Sequence, residues 1–229
     1  MEFTKLSNRL DLVASFVPDG ARLLDVGSDH AYLPIALLQE GKIEAAIAGE
    51  VVEGPYQSAL QNVADNGLED KIEVRLANGL AAFEPTDGIS CITIAGMGGR
   101  LIADILAAGL GKLASVSRLV LQPNNREDEL RAWLVDHDFR IVDEAILEEN
   151  EKFYEILVVE QGSQELSAKE LRFGPYLMRE QAPAFVQKWS KEVEKLAFAL
   201  EQVPVENQSA RASLEERIAH IKEVLNASK

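Results

Sequence analysis

The chain has 229 residues, 47% of them hydrophobic and 27% charged, which excludes a disordered chain and indicates a globular protein with a substantial core. The formal net charge of −15 argues against proteins that coat nucleic acids or bind membrane surfaces, because both classes normally carry a basic excess. A single cysteine, Cys91, forms neither an internal disulfide nor a cysteine-rich metal site, so we expect no metal and a reducing cytoplasm. The N-terminal sequence lacks a signal-peptide pattern and no apolar run approaches the roughly 18 residues of a membrane span, so we expect no membrane association.

The charge is distributed unevenly along the chain. Residues 1–163 contain 13 basic and 28 acidic residues, whereas residues 164–229 contain 10 of each. This difference predicts two structural units, one formed by residues 1–162 and the other by residues 163–229.

An amphipathic helix is predicted at the start of the chain. Leu6, Leu10, Val13 and Val17 recur at spacings of four, three and four, which is the period of a helix face, and Pro18-Asp19-Gly20 ends it.

Beyond residue 20, short apolar runs alternate with helical patterns. Strands that alternate with crossover helices form parallel sheets, so we predict an α/β fold with helices on both faces. The predicted strands are Leu23–Val26, Ala45–Gly49, Ile72–Leu76, Ile89–Ala95 and Val116–Leu121, and the predicted helices are Tyr32–Gln39, Tyr56–Asn66, Leu101–Leu106 and Asp128–Asp136.

The alternation ends at two extended segments with no helix between them. Phe139–Ile146 and Phe153–Val159 are joined by an acidic turn, which predicts a β-hairpin. The last strand should then run antiparallel to an otherwise parallel sheet, unlike the end of the six-stranded dinucleotide-binding sheet.

The region after about Gln164 is predicted to be a coiled-coil hairpin of two helices. Apolar residues repeat at three and four on both sides of Pro204, and an intramolecular hairpin predicts a monomer with no protein partner evident. The repeating residues are Val186, Trp189, Val193, Leu196, Leu200 and Val203 before the proline, and Leu214, Ile218, Ile221 and Leu225 after it.

Two carboxylates flank the glycine at the end of the first predicted strand. A phosphate-binding loop needs several glycines, but here Asp25 and Asp29 surround the single Gly27 and would repel a pyrophosphate. They suit a cofactor with positive charge, such as the sulfonium and ammonium groups of S-adenosylmethionine. Glu50 ends the second strand, where an acidic residue accepts hydrogen bonds from ribose hydroxyls. The alternatives are helix capping by the aspartates and a solvated strand end at Glu50; the joint placement at successive strand ends favours a site.

Polar residues also follow the later strands. Asn78-Gly79 follows the third strand, a glycine-rich segment around Met97 ends the fourth, and Gln122-Pro123-Asn124-Asn125 ends the fifth. Each has a simpler interpretation as a turn, and His30 has one as a buried structural histidine. All of these segments fall at carboxyl ends of predicted strands, where open α/β sheets bind ligands.

The segments DVGSDHAYLP, AGEVVEGPYQSA, ITIAGMGG and QPNN, with the N-terminal helix around Arg9 and the helical tail, resemble a known family. The chain resembles class I S-adenosylmethionine-dependent methyltransferases and, more closely, the bacterial tRNA (adenine-22-N1)-methyltransferase family, TrmK. The resemblance implies a Rossmann-like sheet that is parallel with one antiparallel strand, and methyl transfer to N1 of adenine 22 in the D-arm of tRNA. The general class has glycines at the positions of Asp29 and Ala31, whereas the closer family has an aspartate at the first of these.

The resemblance also assigns roles to residues. It implies that Asp29 is catalytic. It places Asp25, Gly27, Ser28, His30, Glu50, Asn78, Gly79, Gly96 and Met97 at the cofactor, and Arg9, Tyr32, Gly98, Gln122, Pro123 and Asn124 at the substrate. For Tyr32, packing beneath the first loop is an alternative to stacking on the base.

Two other functions fit the residues. A methyltransferase for another RNA base or a small molecule is favoured by the acidity of the first unit, since RNA phosphates need basic partners. A non-catalytic interaction module with this fold is the other alternative. Basic residues that could meet RNA, or form a solvated coiled-coil face, are Lys169, Arg172, Arg179, Lys188, Lys191 and Lys195, with Arg9, Arg100 and Arg126 near predicted loops.

Overall fold

A computed structural model describes residues 4–227 and contains one mixed sheet with helices on both faces, followed by a helical region. The strands are β1 (Ala21–Val26), β2 (Ile43–Glu50), β3 (Ile72–Leu76), β4 (Cys91–Met97), β5 (Arg118–Pro123), β6 (Phe139–Glu149) and β7 (Lys152–Gln161). The helices are α1 (Asn8–Ser15), α2 (Tyr32–Gln39), α3 (Glu53–Asp65), α4 (Gly99–Ala108), α5 (Glu127–Asp136), α6 (Ala168–Phe173), α7 (Leu177–Glu180), α8 (Pro183–Gln202) and α9 (Gln208–Asn226).

The strand order is β3-β2-β1-β4-β5-β7-β6. β1 to β5 pair in parallel, and β7 lies between β5 and β6, antiparallel to both. The prediction of a parallel sheet with one antiparallel strand is therefore confirmed. The order reverses between β1 and β4, so a crevice opens at the carboxyl ends of these two strands, where ligands bind in open α/β sheets.

The central strands bury side chains on both faces, as their continuous apolar runs require. In β1, Leu24 and Val26 pack with α4 and α5 in one cluster, whereas Leu23 packs with α1, α2 and α3 in the other. Helices consequently cover both faces and leave the two ends of the sheet for loops.

Helices α8 and α9 pack against each other and form the predicted hairpin. Arg211 Nη1 donates hydrogen bonds to the Leu200 and Val203 carbonyls at the end of α8, at 3.0 and 2.9 Å. The predicted apolar seam of α8 needs one correction. Its first buried residue is Phe185, which is fully buried, and not Val186, which is exposed. The side of α8 that faces the core therefore begins one residue earlier than predicted.

Apolar and ionic contacts join the helical region to the sheet. The β6 residue Ile146 belongs to the same apolar cluster as Phe173, Phe185 and Trp189. No helix within residues 4–227 has the length and apolar character needed to cross a membrane.

Candidate active site

Asp25 lies near the end of β1 with its carboxylate buried between two hydroxyls. Ser28 Oγ donates to Oδ2 and Thr93 Oγ1 donates to Oδ1, each at 2.6 Å. Thr93 is the residue opposite Asp25 in the β1–β4 register. Burial raises the pKa of Asp25, the two hydroxyl hydrogen bonds oppose the rise, and the charge of Asp29 adds to it. The carboxylate is thus fixed by protein donors and does not cap a helix.

The loop after β1 has an unusual backbone. Gly27 has φ +67°, and a Cβ there would overlap Met97 Cε. Asp29, His30 and Ala31 follow with φ of +46°, +70° and +59°, so three successive residues with side chains are left-handed. This conformation costs about 1–2 kcal/mol per residue, and such strain concentrates at functional sites.

Glu50, at the end of β2, is only 5% exposed, which corrects the alternative of a solvated strand end. Its Oε1 is buried without a hydrogen-bond partner among the described residues. Burial raises the pKa of Glu50, the backbone N–H groups of Asp29 and His30 lower it, and the charges of Asp25 and Asp29 raise it further. A buried carboxylate oxygen without a partner is suited to accept a hydrogen bond from a hydroxyl group of a ligand.

Asp29 projects towards solvent, its side chain being 85% exposed. His30 Nε2 lies 3.4 Å from Asp29 Oδ1, and the His30 ring centroid is 5.5 Å from that of Tyr32. The His30 side chain is 38% exposed, so the alternative of a buried structural histidine is wrong. Tyr32 is also exposed and leaves an aromatic face beside Asp29.

Gln122, at the end of β5, is fully buried and uses its side-chain amide entirely within the protein. Its Oε1 accepts from Arg9 Nη1 at 2.7 Å and from the Gly96 N–H at 3.0 Å. Its Nε2 donates to the Pro123 carbonyl at 2.8 Å and to Asn124 Oδ1 at 3.1 Å. Direct contact with a substrate base would therefore require one of these bonds to break.

Asn124 ties the ends of β4 and β5 together and is itself exposed. Its Nδ2 donates to the Gly96 carbonyl and its backbone N–H donates to the Met97 carbonyl, both at 2.7 Å. A Cβ on Gly98 would lie 3.1 Å from Asn125 Oδ1, so this loop tolerates little bulk.

Arg9, on α1, lies at the site although it is far in sequence from the other residues at the ends of β4 and β5. Its guanidinium lies 5.6 Å from the centroid of the Tyr154 ring and approaches Gly96. Glu149 holds α1 in place, because its carboxylate accepts from the Asn8 and Arg9 backbone N–H groups. Of the three loop arginines, Arg100 and Arg126 are instead paired with Glu129.

Asn78 and Gly79 follow β3 on the far side of Glu50. The Ala77 N–H donates to the Glu50 carbonyl at 2.7 Å, which fixes this segment beside the end of β2. Gly79 has φ +55°, and a Cβ there would lie 2.9 Å from Ile105 Cγ2.

Sequence reasoning missed three residues that shape the site. Thr93 had a signal, because it is the polar member of the otherwise apolar strand segment Cys91–Ile94. Tyr154 and Glu149 had none, since their role depends on the hairpin meeting α1. In the part of the chain that the structure describes, no group of three or more histidine, cysteine, aspartate or glutamate side chains is arranged to hold a metal ion.

The site thus combines three neighbouring carboxylates, a glycine in close contact with β4 and an unpartnered buried oxygen. Those features fit a ligand that bears positive charge and hydroxyl groups, and they do not fit a pyrophosphate. S-adenosylmethionine has this chemistry.

Comparison with known proteins identifies the family. The family model described as TrmK, tRNA (adenine(22)-N(1))-methyltransferase, matches residues 23–223. A tRNA (adenine(22)-N(1))-methyltransferase of Bacillus subtilis is 41% identical over 238 aligned positions that cover 99% of each chain. The crystal structure of the B. subtilis tRNA methyltransferase TrmK superposes with a TM-score of 0.87 at 39% identity, covering 97% of this chain and 100% of that one.

A Streptococcus pneumoniae protein crystallised in complex with S-adenosyl-L-methionine is 67% identical, with a TM-score of 0.90 over 97% of this chain and all of that one. The matches extend through both the sheet and the helical region. The chain belongs to the TrmK family of tRNA (adenine(22)-N(1))-methyltransferases.

Proposed function

We propose that this chain transfers a methyl group from S-adenosylmethionine to N1 of adenine 22 in the D-arm of tRNA. The observation that carries the proposal is the buried, unpartnered Glu50 Oε1 within a group of three carboxylates, in a chain of this family. We assign the catalytic groups to the unit predicted for residues 1–162, and the helices α6 to α9 to the unit predicted for residues 163–229.

The carboxylates bind the cofactor. S-adenosylmethionine supplies an electrophilic methyl group on a sulfonium centre. Glu50 would accept hydrogen bonds from the ribose hydroxyls, and the charge of Asp25 would favour the cationic portion of the molecule. Ser28 holds Asp25 in place. Gly27 would let the backbone approach the cofactor, His30 and Met97 would lie at the reacting centre, and the Gly96 segment would lie on the β4 side. Asn78 and Gly79 would lie at the adenine moiety.

Asp29 supports the reaction at the base. Adenine N1 attacks through its in-plane lone pair, so the ring gains positive charge as the bond forms. A carboxylate near the N6 amino group stabilises that charge, and positioning of the two reactants supplies on the order of 7–11 kcal/mol of the barrier. The exposure of Asp29 and the strained backbone that presents it support this role.

The target base must leave the helix stack. N1 is on the Watson–Crick edge, which is inaccessible in a paired base, and extrusion costs a few kcal/mol. The exposed ring of Tyr32, beside Asp29, provides a face on which the extruded base stacks.

Gln122 positions the substrate side of the site without touching the base. It orients Arg9 towards the mouth and holds the Gly96 and Gly98 loop, with Pro123 and Asn124, in one arrangement. If Gln122 acts through Arg9, the variants Gln122→Leu and Arg9→Ala should lower kcat by similar factors, and the double variant should lose little more than either alone. Fully additive losses would contradict this coupling.

The main test uses labelled S-adenosylmethionine and two tRNA transcripts, one with adenine 22 and one with guanine there. Nucleoside analysis should find 1-methyladenosine only in the first transcript. Methylation of both, of another atom, or of neither would contradict the proposal.

The role of Asp29 is tested separately. Asp29→Ala should lower kcat on the order of 100-fold with little change in cofactor Kd, and Asp29→Asn should fall between it and the wild type. Asp19→Ala, an exposed aspartate before β1, is the matched control and should match the wild type. Near-normal turnover of Asp29→Ala would contradict the assignment.

The protein is proposed to work as a cytoplasmic monomer. The pairing of α8 with α9 inside one chain and the buried, unpaired Cys91 support this. Light scattering should give a mass near 25.2 kDa, and a dimer mass would contradict it.

A further inference from the structure

The loop between β1 and α2 has a strained conformation that its own side chains do not stabilise. Asp29, His30 and Ala31 all have left-handed backbones, which residues with side chains keep only where the surrounding structure enforces them. Ala31 is the N-cap residue of α2 and has no polar side chain with which to cap the helix. The groups that enforce this conformation therefore come from other elements of the fold.

Backbone hydrogen bonds fix the two ends of the loop but not its centre. The Gly27 and Ser28 N–H groups donate to the Gly49 carbonyl at 2.9 and 3.1 Å. At the other end, the Ala31 carbonyl accepts the first hydrogen bond of α2, at 3.1 Å. The His30 carbonyl, in the middle of the left-handed segment, accepts from no backbone N–H group in the described part of the chain.

Asn62, in the last turn of α3, supplies the donor that the His30 carbonyl needs. Its Nδ2 donates to that carbonyl at 3.0 Å, across 32 residues of sequence. Within residues 4–227, Asn62 is the one side chain that donates to a carbonyl of the left-handed segment. Asn62 is partly buried, so the bond is partly shielded from competing water.

A second amide, one turn further along α3, holds Asn62 in place. Asn66 Nδ2 donates to the Asn62 carbonyl at 2.8 Å, and Asn66 Oδ1 accepts from Gln39 Nε2, also at 2.8 Å. Gln39 is the last residue of α2. Helix α3 therefore contacts α2 at both ends, at its strained start through Asn62 and at its last residue through Asn66.

The direction of the Asp29 side chain depends on this loop backbone. The Asp29 side chain is 85% exposed, so its backbone directs it, and packing does not. The other group that acts on the segment is Glu50. Burial raises the pKa of Glu50, and the backbone N–H groups of Asp29 and His30 oppose the rise. Glu50 thus serves the cofactor as well as the loop, whereas the Asn62 amide serves the loop.

We propose that Asn62 is a positioning residue for methyl transfer, because its bond to the His30 carbonyl holds the left-handed segment and so directs Asp29 towards the target base; this rests on the proposed function. The contribution of Asn62 lies in turnover and not in cofactor affinity. Asp25 and Glu50 lie on β1 and β2, whose hydrogen bonds do not involve Asn62.

The test compares Asn62→Ala and Asn62→Asp with the wild type. Aspartate has nearly the size of asparagine, but its ionised carboxylate has no hydrogen to donate to the His30 carbonyl, so both variants lose the bond. Both should lower kcat roughly tenfold, with little change in the Kd of S-adenosylmethionine. Gln61→Ala is the matched control and should keep the wild-type kcat, because Gln61 is the adjacent amide on α3 and its Nε2 donates to Asp65 on the same helix.

A double-mutant cycle with Asp29→Ala separates positioning from a general loss of stability. If Asn62 acts through Asp29, Asn62→Ala should lower kcat little further in the Asp29→Ala background, although it destabilises both backgrounds alike. A full further loss of kcat in that background would overturn the proposal. A wild-type kcat for both Asn62 variants would also overturn it, and in either case the proposed function would stand.

Amide hydrogen exchange tests the loop independently of the substrate. The amides of residues 29–31 should exchange faster in Asn62→Ala than in the wild type, and Gln61→Ala should leave their exchange unchanged. Unchanged exchange in Asn62→Ala would overturn the proposal. If the wild type does not methylate tRNA, the proposed function itself fails, and the exchange rates still decide whether Asn62 holds the loop.

Discussion

The protein buries carboxylates in two regions, and only in one of these regions are they paired with cations. At the candidate active site, Asp25 and Glu50 are buried without a cation within salt-bridge distance in the described chain. Between the sheet and the helical region, Glu144 and Glu155 are buried against Arg131, which is itself fully buried and donates to them at 2.7 and 2.5 Å.

The second region is a completed ionic network. Lys188 on α8 also binds Glu155, at 2.7 Å, and Glu144 accepts from the Tyr176 N–H at 2.9 Å. Arg131 Nη1 donates to the Leu171 carbonyl. These bonds join α5, the hairpin, α6 and α8, so the network fixes the helical region against the methyltransferase sheet.

The comparison separates a structural use of buried charge from a functional one. A buried charge is tolerated when it is paired and hydrogen-bonded, as in the Arg131 network. Uncompensated carboxylates cost stability in the free protein, and that cost is offset when a cationic, hydroxyl-bearing ligand binds. Buried carboxylates without cations therefore indicate the ligand site.

The largest expected effect is the loss of Arg131. Arg131→Met leaves Glu144 and Glu155 with too little compensating charge, and the free energy of unfolding should fall by about 3–5 kcal/mol in urea titrations. Arg75→Met is the matched control. Arg75 is only partly buried and pairs with Glu73 and Asp87, whose carboxylates keep contact with water, so its removal should cost clearly less than that of Arg131.

The triple variant R131M/E144L/E155L distinguishes charge from packing. Replacing a buried ionic group with apolar residues is often close to neutral, so this variant should recover much of the lost stability. Equal losses for Arg131→Met and Arg75→Met would contradict a structural role for the buried network.

The second effect concerns ligand affinity. Glu50→Gln should raise the Kd of S-adenosylmethionine and S-adenosylhomocysteine alike, by roughly 10–100-fold, because both share the ribose and lose a charged acceptor. The unfolding free energy of the ligand-free protein should stay level or rise, since an uncompensated charge is removed. Calorimetry and urea titration measure the two quantities. Destabilisation without loss of affinity would place Glu50 among the structural carboxylates.

Part of this contrast was predictable from sequence. Asp25 and Glu50 were predicted as a site because both end strands that share one sheet edge. The environment of Asp25 was not predictable, because it depends on the β1–β4 register that puts Thr93 opposite Asp25. The ionic network gave no signal, since Arg131, Glu155 and Lys188 come from three elements that meet only in the fold.

Local sequence patterns predicted the secondary structure of the fold, but they did not predict its long-range contacts. Alternating apolar runs and helical periods predicted the parallel strands, and the acidic turn predicted the hairpin. The patterns did not determine which hairpin strand pairs with β5, because β6 and β7 have similar length and apolar content. The family resemblance placed Gln122 at the substrate, whereas its bond to Arg9, 113 residues away, has no local signature in the sequence.

The smallest effect is a difference in pH dependence between the two regions. Burial raises the pKa of Glu50 above its usual 4.5, so between that value and the raised pKa the folded protein binds more protons than the unfolded chain. Glu50 should therefore make the ligand-free protein less stable as the pH rises through this window. Cofactor affinity should increase over the same window, because the ionised carboxylate is the better acceptor.

Glu155 should show the opposite sign. Burial alone would raise its pKa, but Arg131 and Lys188 together hold the pKa below its usual value. The stabilisation by Glu155 is present above pH 4.5 and is lost as the pH falls through the lowered pKa, because the folded protein must then protonate a carboxylate that its cations keep ionised. Unfolding free energies of the wild type, Glu50→Gln and Glu155→Gln, measured from pH 2 to 8, isolate the two contributions. Relative to Glu50→Gln, the wild-type advantage should shrink as the pH rises above 4.5. Relative to Glu155→Gln, it should grow as the pH rises to about 4.5 and stay level above that pH. If the two stability differences changed with pH in the same direction, the contrast between unpaired and cation-paired buried carboxylates would be wrong.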